Sequence, residues 1–364
     1  MIRKLKDRNG LRLLVVRNDG LGDFILTLPL IAALKEQLPM CRITVLAGPV
    51  AAALAPMLPD IDEVIVDEGW LLKRHVGRGS KGKDPAAVKA GRTALEARIR
   101  AGRFDAAVFA YAEAASAALV HRAGVPLRAG PLRRAFFWRF NAFATRSRKG
   151  SRLSEYRLNL GLLRVLGLAE RYAAPRLEVE PIPAKGHRPV VLHPYKRNET
   201  ALSWPLDRFQ ALAAALAGAG HPVLVVGDAD DEPVLAQHFG AMGGVRLSTG
   251  NTLAELVSLI AGAAAFVGNS SGPLHLAGLT GTPHVGLFPR NRVSAPARWA
   301  TLPPPGTGNG SGHEPPPPET YLLSPYAPYN CVTCEREHCP YFNCVAMIRL
   351  DQVLAGLEGW GVKV

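Results

Sequence analysis

Leu11-Arg12-Leu13-Leu14-Val15-Val16-Arg17-Asn18-Asp19-Gly20-Leu21-Gly22-Asp23-Phe24-Ile25-Leu26-Thr27-Leu28-Pro29 decides how the chain is read. Its first six residues are apolar almost without interruption, as expected of a parallel strand buried on both faces. A turn with Gly20 and Gly22 follows, then a helical pattern from Phe24 to Leu38. Strand, glycine turn and helix open a doubly wound domain, and such sheets take ligands at the carboxyl ends of their strands. The two glycines let a ligand approach the backbone, and the free N–H groups of the following helix attract anions. The third glycine of a dinucleotide fingerprint would fall at Ile25, so the turn is not that motif. Asp23 reads either as a cap of this helix or as a functional carboxylate.

Working outward, Arg42 to Ala47, Glu63 to Val66 and Ala106 to Ala110 read as further strands separated by Ala-rich helical stretches. A second series begins after a mixed stretch, with strands at Val190 to His193, Val223 to Gly227 and Ala265 to Gly268. Helices are expected at Leu206 to Ala217 and Leu253 to Ala261. The alternation predicts an α/β chain of two doubly wound domains. The expected boundaries are residues 1–175 and 186–343, with 344–364 as a closing helix that packs back on the N-terminal domain. Residues 301–328 hold Pro303-Pro304-Pro305 and Pro315-Pro316-Pro317-Pro318, which deny backbone donors and read as a loop excursion.

Composition agrees with a folded, two-domain chain: 364 residues, 48% hydrophobic and 20% charged. The formal net charge is +13, and Trp70 to Arg152 alone carries 19 basic and 4 acidic residues, so one region of one domain holds the imbalance. An excess of this kind favours an anionic partner. The run Leu11 to Val16 is too short for a signal-peptide core, so a cytoplasmic protein is expected. Leu256 to Pro289 lacks Asp, Glu, Lys and Arg, but Gly268 to Pro273 and Gly281-Thr282-Pro283 break it, which predicts soluble core and not a membrane span. Cys331, Cys334, Cys339 and Cys344 lie within fourteen residues; packed free thiols are expected, with four thiolate ligands for zinc as the alternative.

A second turn of the same kind runs Val267-Gly268-Asn269-Ser270-Ser271-Gly272-Pro273-Leu274-His275-Leu276-Ala277. Hydroxyls and helix N–H groups after a strand can cradle a phosphate; a plain capping turn and a packed helix histidine are the structural alternatives. The two turns together resemble the ADP-heptose:lipopolysaccharide heptosyltransferases of glycosyltransferase family 9. Gly22-Asp23 through Leu28-Pro29, His193-Pro194, Trp204-Pro205 before Leu206-Asp207-Arg208-Phe209, Val225-Val226-Gly227, and Gly268 to Ala277 follow in the family's order across nearly the whole chain. The resemblance implies a GT-B fold, two Rossmann-like domains facing a cleft, with the acceptor on the first and the nucleotide sugar on the second. It implies an inverting transferase that moves a heptose from ADP-heptose to a lipopolysaccharide core, with no cofactor or catalytic metal and with Asp23 as general base. Gly20, Gly22, Ser270, Ser271, Gly272 and His275 are the expected substrate-binding residues.

The sequence departs from the family twice. Leu202 stands where relatives place a diphosphate-binding lysine, and Ser270 where they often have aspartate. Lys196 and Arg197 are then the expected cations for the leaving diphosphate. Arg133, Arg134, Arg139, Arg146, Arg148, Lys149 and Arg152 interleave with Phe136, Phe137, Trp138, Phe140 and Phe143, a composition suited to an anionic membrane face or a phosphorylated glycan. A cytoplasmic protein that can sit peripherally on the inner face of the cytoplasmic membrane is expected, with no nucleic-acid partner. A sugar-nucleotide epimerase of the same fold and a non-catalytic binder of lipid or nucleic acid are the competing functions.

Overall fold

The computed structural model describes residues 10–71, 84–146, 148, 151, 153–182, 187–194, 202–291, 294–303, 320–325, 331, 334–335 and 338–364. The chain divides after Glu178 into two compact units. In the first, strands β1 (Arg12–Arg17), β2 (Arg42–Ala47), β3 (Glu63–Val66), β4 (Ala106–Phe109), β5 (Leu127–Pro131) and β6 (Ala142–Ala144) form one parallel sheet in the order β3-β2-β1-β4-β5-β6. The helices are α1 (Leu21–Ile25), α2 (Leu28–Gln37), α3 (Pro49–Ala52), α4 (Pro85–Ala101), α5 (Ala114–Arg122) and α6 (Glu155–Val165). β1 lies at the centre, Arg12 opposite Arg42 and Leu13 opposite Ala106, so both of its faces are covered. That placement is why Leu13 to Val16 are all apolar and all buried. The expected helix from Phe24 to Leu38 is two helices, broken at Leu26 and Thr27 before Pro29.

The second unit repeats the design. β7 (Val190–His193), β8 (Val223–Gly227), β9 (Val245–Thr249), β10 (Ala265–Asn269), β11 (His284–Leu287) and β12 (Thr320–Leu323) pair in parallel in the order β12-β11-β10-β7-β8-β9. The helices are α7 (Leu206–Gly218), α8 (Glu232–Phe239), α9 (Leu253–Ala261), α10 (Gly272–Thr280), α11 (Pro296–Trp299) and α12 (Leu350–Glu358). Counted from its own first strand, each sheet has the order 3-2-1-4-5-6 of a Rossmann domain. Two findings differ from the sequence reading. The Pro-rich excursion contains β12, because Tyr321, Leu322 and Leu323 suit an edge strand whose flanks need no ladder bonds. The closing helix belongs to the second unit, where Val353 and Leu357 join the core around Trp204 and Phe209.

Candidate active site

In an open doubly wound sheet the ligand crevice lies where consecutive connections leave in opposite directions, and in the first unit that is the carboxyl end of β1 beside β4. The turn carrying Gly20, Gly22 and Asp23 stands there. Gly20, not Asp23, is the N-cap of α1, and it makes no side-chain cap bond. Asp23 is the third residue of α1 and a quarter exposed, and its Oδ1 accepts from Arg17 Nη2. The capping alternative for Asp23 therefore does not hold. An added Cβ at Gly20 would stand 3.0 Å from Asp23 Oδ2, so Gly20 keeps space beside that oxygen.

Arg17, the last residue of β1, is 2% exposed, and a buried guanidinium is tolerated only when its donors are matched by acceptors. Its Nε donates to Asp19 Oδ1 at 2.7 Å, and its Nη1 donates to the Ala110 carbonyl at 3.1 Å and to Glu155 Oε1 at 2.9 Å. Burial pushes the Asp19 carboxyl up to about 7 against the opposing pull of Arg17. Behind this cluster, on the β4–β5–β6 side, lies a cavity of about 610 Å³ walled by Arg133, Arg134, Arg146, Arg148 and Arg164. Glu170 pairs with Arg146 and Arg164, and Glu155 with Arg148. The basic stretch is thus split: some of its arginines line a pocket, Phe140 packs on Phe109 in the core, and Phe137 and Trp138 stand out at 46% and 61% exposure. Arg139 leaves the pocket to donate to the Ala114 carbonyl, and its guanidinium lies 5.9 Å from the Trp138 ring. Lys149 and Arg152 lie outside the described residues.

The equivalent point of the second unit is the end of β7 beside β10. Ser270, Ser271 and Gly272 are half-buried at the start of α10. Ser271 is the N-cap but spends no side-chain bond on the helix; its Oγ lies 3.5 Å from His193 Nδ1. The first-turn N–H groups of α10 are therefore not covered by a capping side chain, as a phosphate cradle requires. Burial pushes His193 down to about 4. His275, expected beside the ligand, lies one turn further along α10; it is 4% exposed, and burial and then the nearby His284 push it down to about 3. Lys196 and Arg197 lie outside the described residues; of the described residues on either side, Pro194 and Trp204 are both bound by Asn269. This fully buried side chain accepts from Trp204 N at 2.7 Å and donates to the Pro194 carbonyl at 2.9 Å. Leu202 is half-buried and brings no charge.

Arg17, Arg148, Glu155 and Asn269 are parts of these two sites to which the sequence reading assigned no role there. An arginine closing an apolar strand was a usable signal, because a buried cation demands partners; Glu155, 138 residues away, had none. The four clustered cysteines are half-buried and not joined in disulfides, with the Cys331 thiol raised by burial and then by Cys334, Cys339 and Cys344. Among the described residues, no three His, Cys, Asp or Glu side chains are grouped to hold a metal.

Comparison with known proteins identifies relatives of this fold. The chain is 25% identical over 315 residues to a Haemophilus influenzae protein assigned as a glycosyltransferase, covering 80% of this chain and 86% of that one. Its fold matches a family 9 glycosyltransferase of Veillonella parvula with a TM-score of 0.73 at 18% identity, covering 97% of each chain. It also matches the Escherichia coli ADP-heptose lipopolysaccharide heptosyltransferase II with a TM-score of 0.72 at 20% identity, covering 96% of this chain and 98% of the other. The architecture is therefore the GT-B fold, two Rossmann-like domains in one chain. Residues 92–329 match the family model described as glycosyltransferase family 9 (heptosyltransferase), and with both of its Rossmann-type ligand points built as above, the chain belongs to that family.

Proposed function

We propose that the protein is an inverting glycosyltransferase that moves a heptose from ADP-heptose to an anionic, lipid-linked acceptor of the lipopolysaccharide-core type, with Asp23 as general base. The observation that carries this is Asp23 itself: a partly exposed carboxylate at the switch point, held through one oxygen by Arg17 while the other lies beside Gly20. An acceptor hydroxyl is a weak nucleophile, and a carboxylate within hydrogen-bond reach takes its proton as the oxygen attacks the anomeric carbon. The bond from that carbon to the diphosphate breaks, and the nucleoside diphosphate leaves with added negative charge. Ser270, Ser271, Gly272 and the open N-terminus of α10 receive that charge, aided by Lys196 and Arg197. Donor identity is supported by the family and by the likeness to an ADP-heptose enzyme. The arginine-walled cavity suits an acidic group of the acceptor, and exposed Phe137 and Trp138 beside Arg139 suit an anionic lipid surface.

The test is release of ADP from ADP-heptose by the purified protein, with and without deacylated lipopolysaccharide core. Acceptor-dependent release that falls by at least a hundredfold in Asp23→Asn, with ADP binding retained, is expected. Donor consumption that ignores the acceptor would point to an epimerase or hydrolase instead.

A further inference from the structure

The contacts around Asp23 close into a circuit. Arg17 binds the Asp23 carboxylate and donates to Glu155 Oε1 at 2.9 Å. Glu155, 1% exposed at the start of α6, pairs with Arg148, whose Nη2 donates to Asn159 Oδ1 at 2.7 Å. Asn159, fully buried one turn further along α6, donates through Nδ2 to Leu26 O at 2.9 Å and to Thr27 Oγ1 at 3.2 Å. Thr27 Oγ1 in turn donates to the backbone carbonyl of Asp23 at 3.0 Å. Two guanidiniums, two carboxylates, an amide and a hydroxyl thus run from the side chain of Asp23 through α6 and back to its main chain.

We infer that Arg17, Glu155 and Thr27 are positioning residues that give the two oxygens of Asp23 different tasks, fixing Oδ1 and leaving Oδ2 to take the acceptor proton. This rests on the reading of Asp23 as the base. A lone aspartate on the first turn of a helix can rotate about χ1 and χ2, and each rotation carries its basic lone pairs away from the acceptor. Catalysis by a positioned base is sensitive to displacements of this size. The planar fork of Arg17 removes the freedom: with Nε on Asp19 and Nη1 on Glu155 and Ala110, only Nη2 faces Asp23. Glu155 touches no reacting group; it acts through Arg17. Thr27 acts on the backbone that carries Asp23. The circuit also explains why a buried carboxylate and a buried amide are found on α6, where apolar side chains would otherwise face α2.

The experiment compares Arg17→Lys, Glu155→Gln, Thr27→Val and Thr27→Ser. Lysine keeps the charge but lacks the planar fork that holds Asp19, Asp23 and Glu155 in fixed directions, glutamine keeps shape and loses charge, valine keeps shape and loses the hydroxyl, and serine retains it. With ADP-heptose and deacylated core, Arg17→Lys, Glu155→Gln and Thr27→Val are expected to lower kcat at least tenfold while KM for the donor stays within twofold. Thr27→Ser is expected to stay within threefold of the parent. A tenfold rise in donor KM without loss of kcat, or full activity in Thr27→Val, overturns the assignment. Crystal structures of Thr27→Val and Glu155→Gln give a readout independent of turnover: the Asp23 carboxylate is expected to turn away from its position beside Gly20, and an unmoved carboxylate in both overturns it. If Asp23→Asn retains turnover while the carboxylate does turn in these variants, the reading of Asp23 as base fails and the positioning circuit stands.

Discussion

Replacing Asn269 by alanine should release the connection between β7 and α7 while leaving the rest of the second unit folded. The side chain is fully buried at the end of β10 and has two partners, the Trp204 N–H at 2.7 Å and the Pro194 carbonyl at 2.9 Å. Alanine leaves both backbone groups without that partner in a place where Asn269 excluded water. An unsatisfied buried group costs about 1–3 kcal/mol, so the pair sets an expected loss of about 2–6 kcal/mol. Trp204 keeps its indole N–H bond to the Ile348 carbonyl at 2.8 Å and its contact with Phe209, so the loss is local. Asn269→Asp separates the two bonds. Its Oδ1 still accepts from Trp204, but an ionised Oδ2 faces the Pro194 carbonyl, whereas a protonated one can donate to it. Burial beside a carbonyl raises that carboxyl above its unfolded value, so the folded state binds the extra proton and Asn269→Asp is expected to gain stability relative to the parent as pH falls. The assays are urea unfolding between pH 5 and 8 and hydrogen exchange of peptides covering 187–194 and 202–206. Affinity for ADP is expected to fall with protection, because this connection carries Lys196 and Arg197. A loss below about 0.5 kcal/mol in Asn269→Ala, with exchange unchanged, would refute the clamp.

His284 donates through Nδ1 to Thr282 O at 2.8 Å, its Nε2 pairs with Thr301 Oγ1 at 2.8 Å, and its burial favours the neutral ring. With His275 and His284 lowered from 6.5 to about 3 and about 4, the unfolded chain holds more protons below pH 6.5, so stability is lost as pH falls through that window. About 2 kcal/mol per histidine is expected between pH 7 and 5, read from urea midpoints at the two pH values. Lys196→Ala or Arg197→Ala should cost about 1.5–3 kcal/mol in kcat/KM for the donor, as expected of a charge-assisted bond; unchanged kinetics in both would show that neither replaces the lysine missing at Leu202. Phe137→Ser with Trp138→Ser should weaken sedimentation with anionic vesicles at low salt and leave ADP affinity unaltered, and equal loss of both would refute a separate membrane face.

Much of this protein is legible in its sequence because the information is local. An uninterrupted apolar run such as Leu13 to Val16 has no other stable home than a strand covered on both faces, and glycine turns followed by helices place ligand points at strand ends wherever the sheet forms. Gly20, Gly22 and Asp23 at the end of β1, and Ser270, Ser271 and Gly272 at the end of β10, are therefore candidates that the sequence alone can offer. The short strands β5, β6, β9, β11 and β12 were harder, since three to five residues beside prolines, arginines or glycines carry little periodicity of their own. Tertiary structure alone decided who meets whom. That a basic stretch becomes a pocket wall, that Glu155 reaches back to Arg17 at the end of β1, and that Asn159 reaches the turn between α1 and α2 all depend on contacts between residues up to 138 positions apart. A sequence pattern shows that a buried arginine at the end of β1 must find partners; only the folded chain, by bringing α6 over the end of that strand, determines which carboxylates those are.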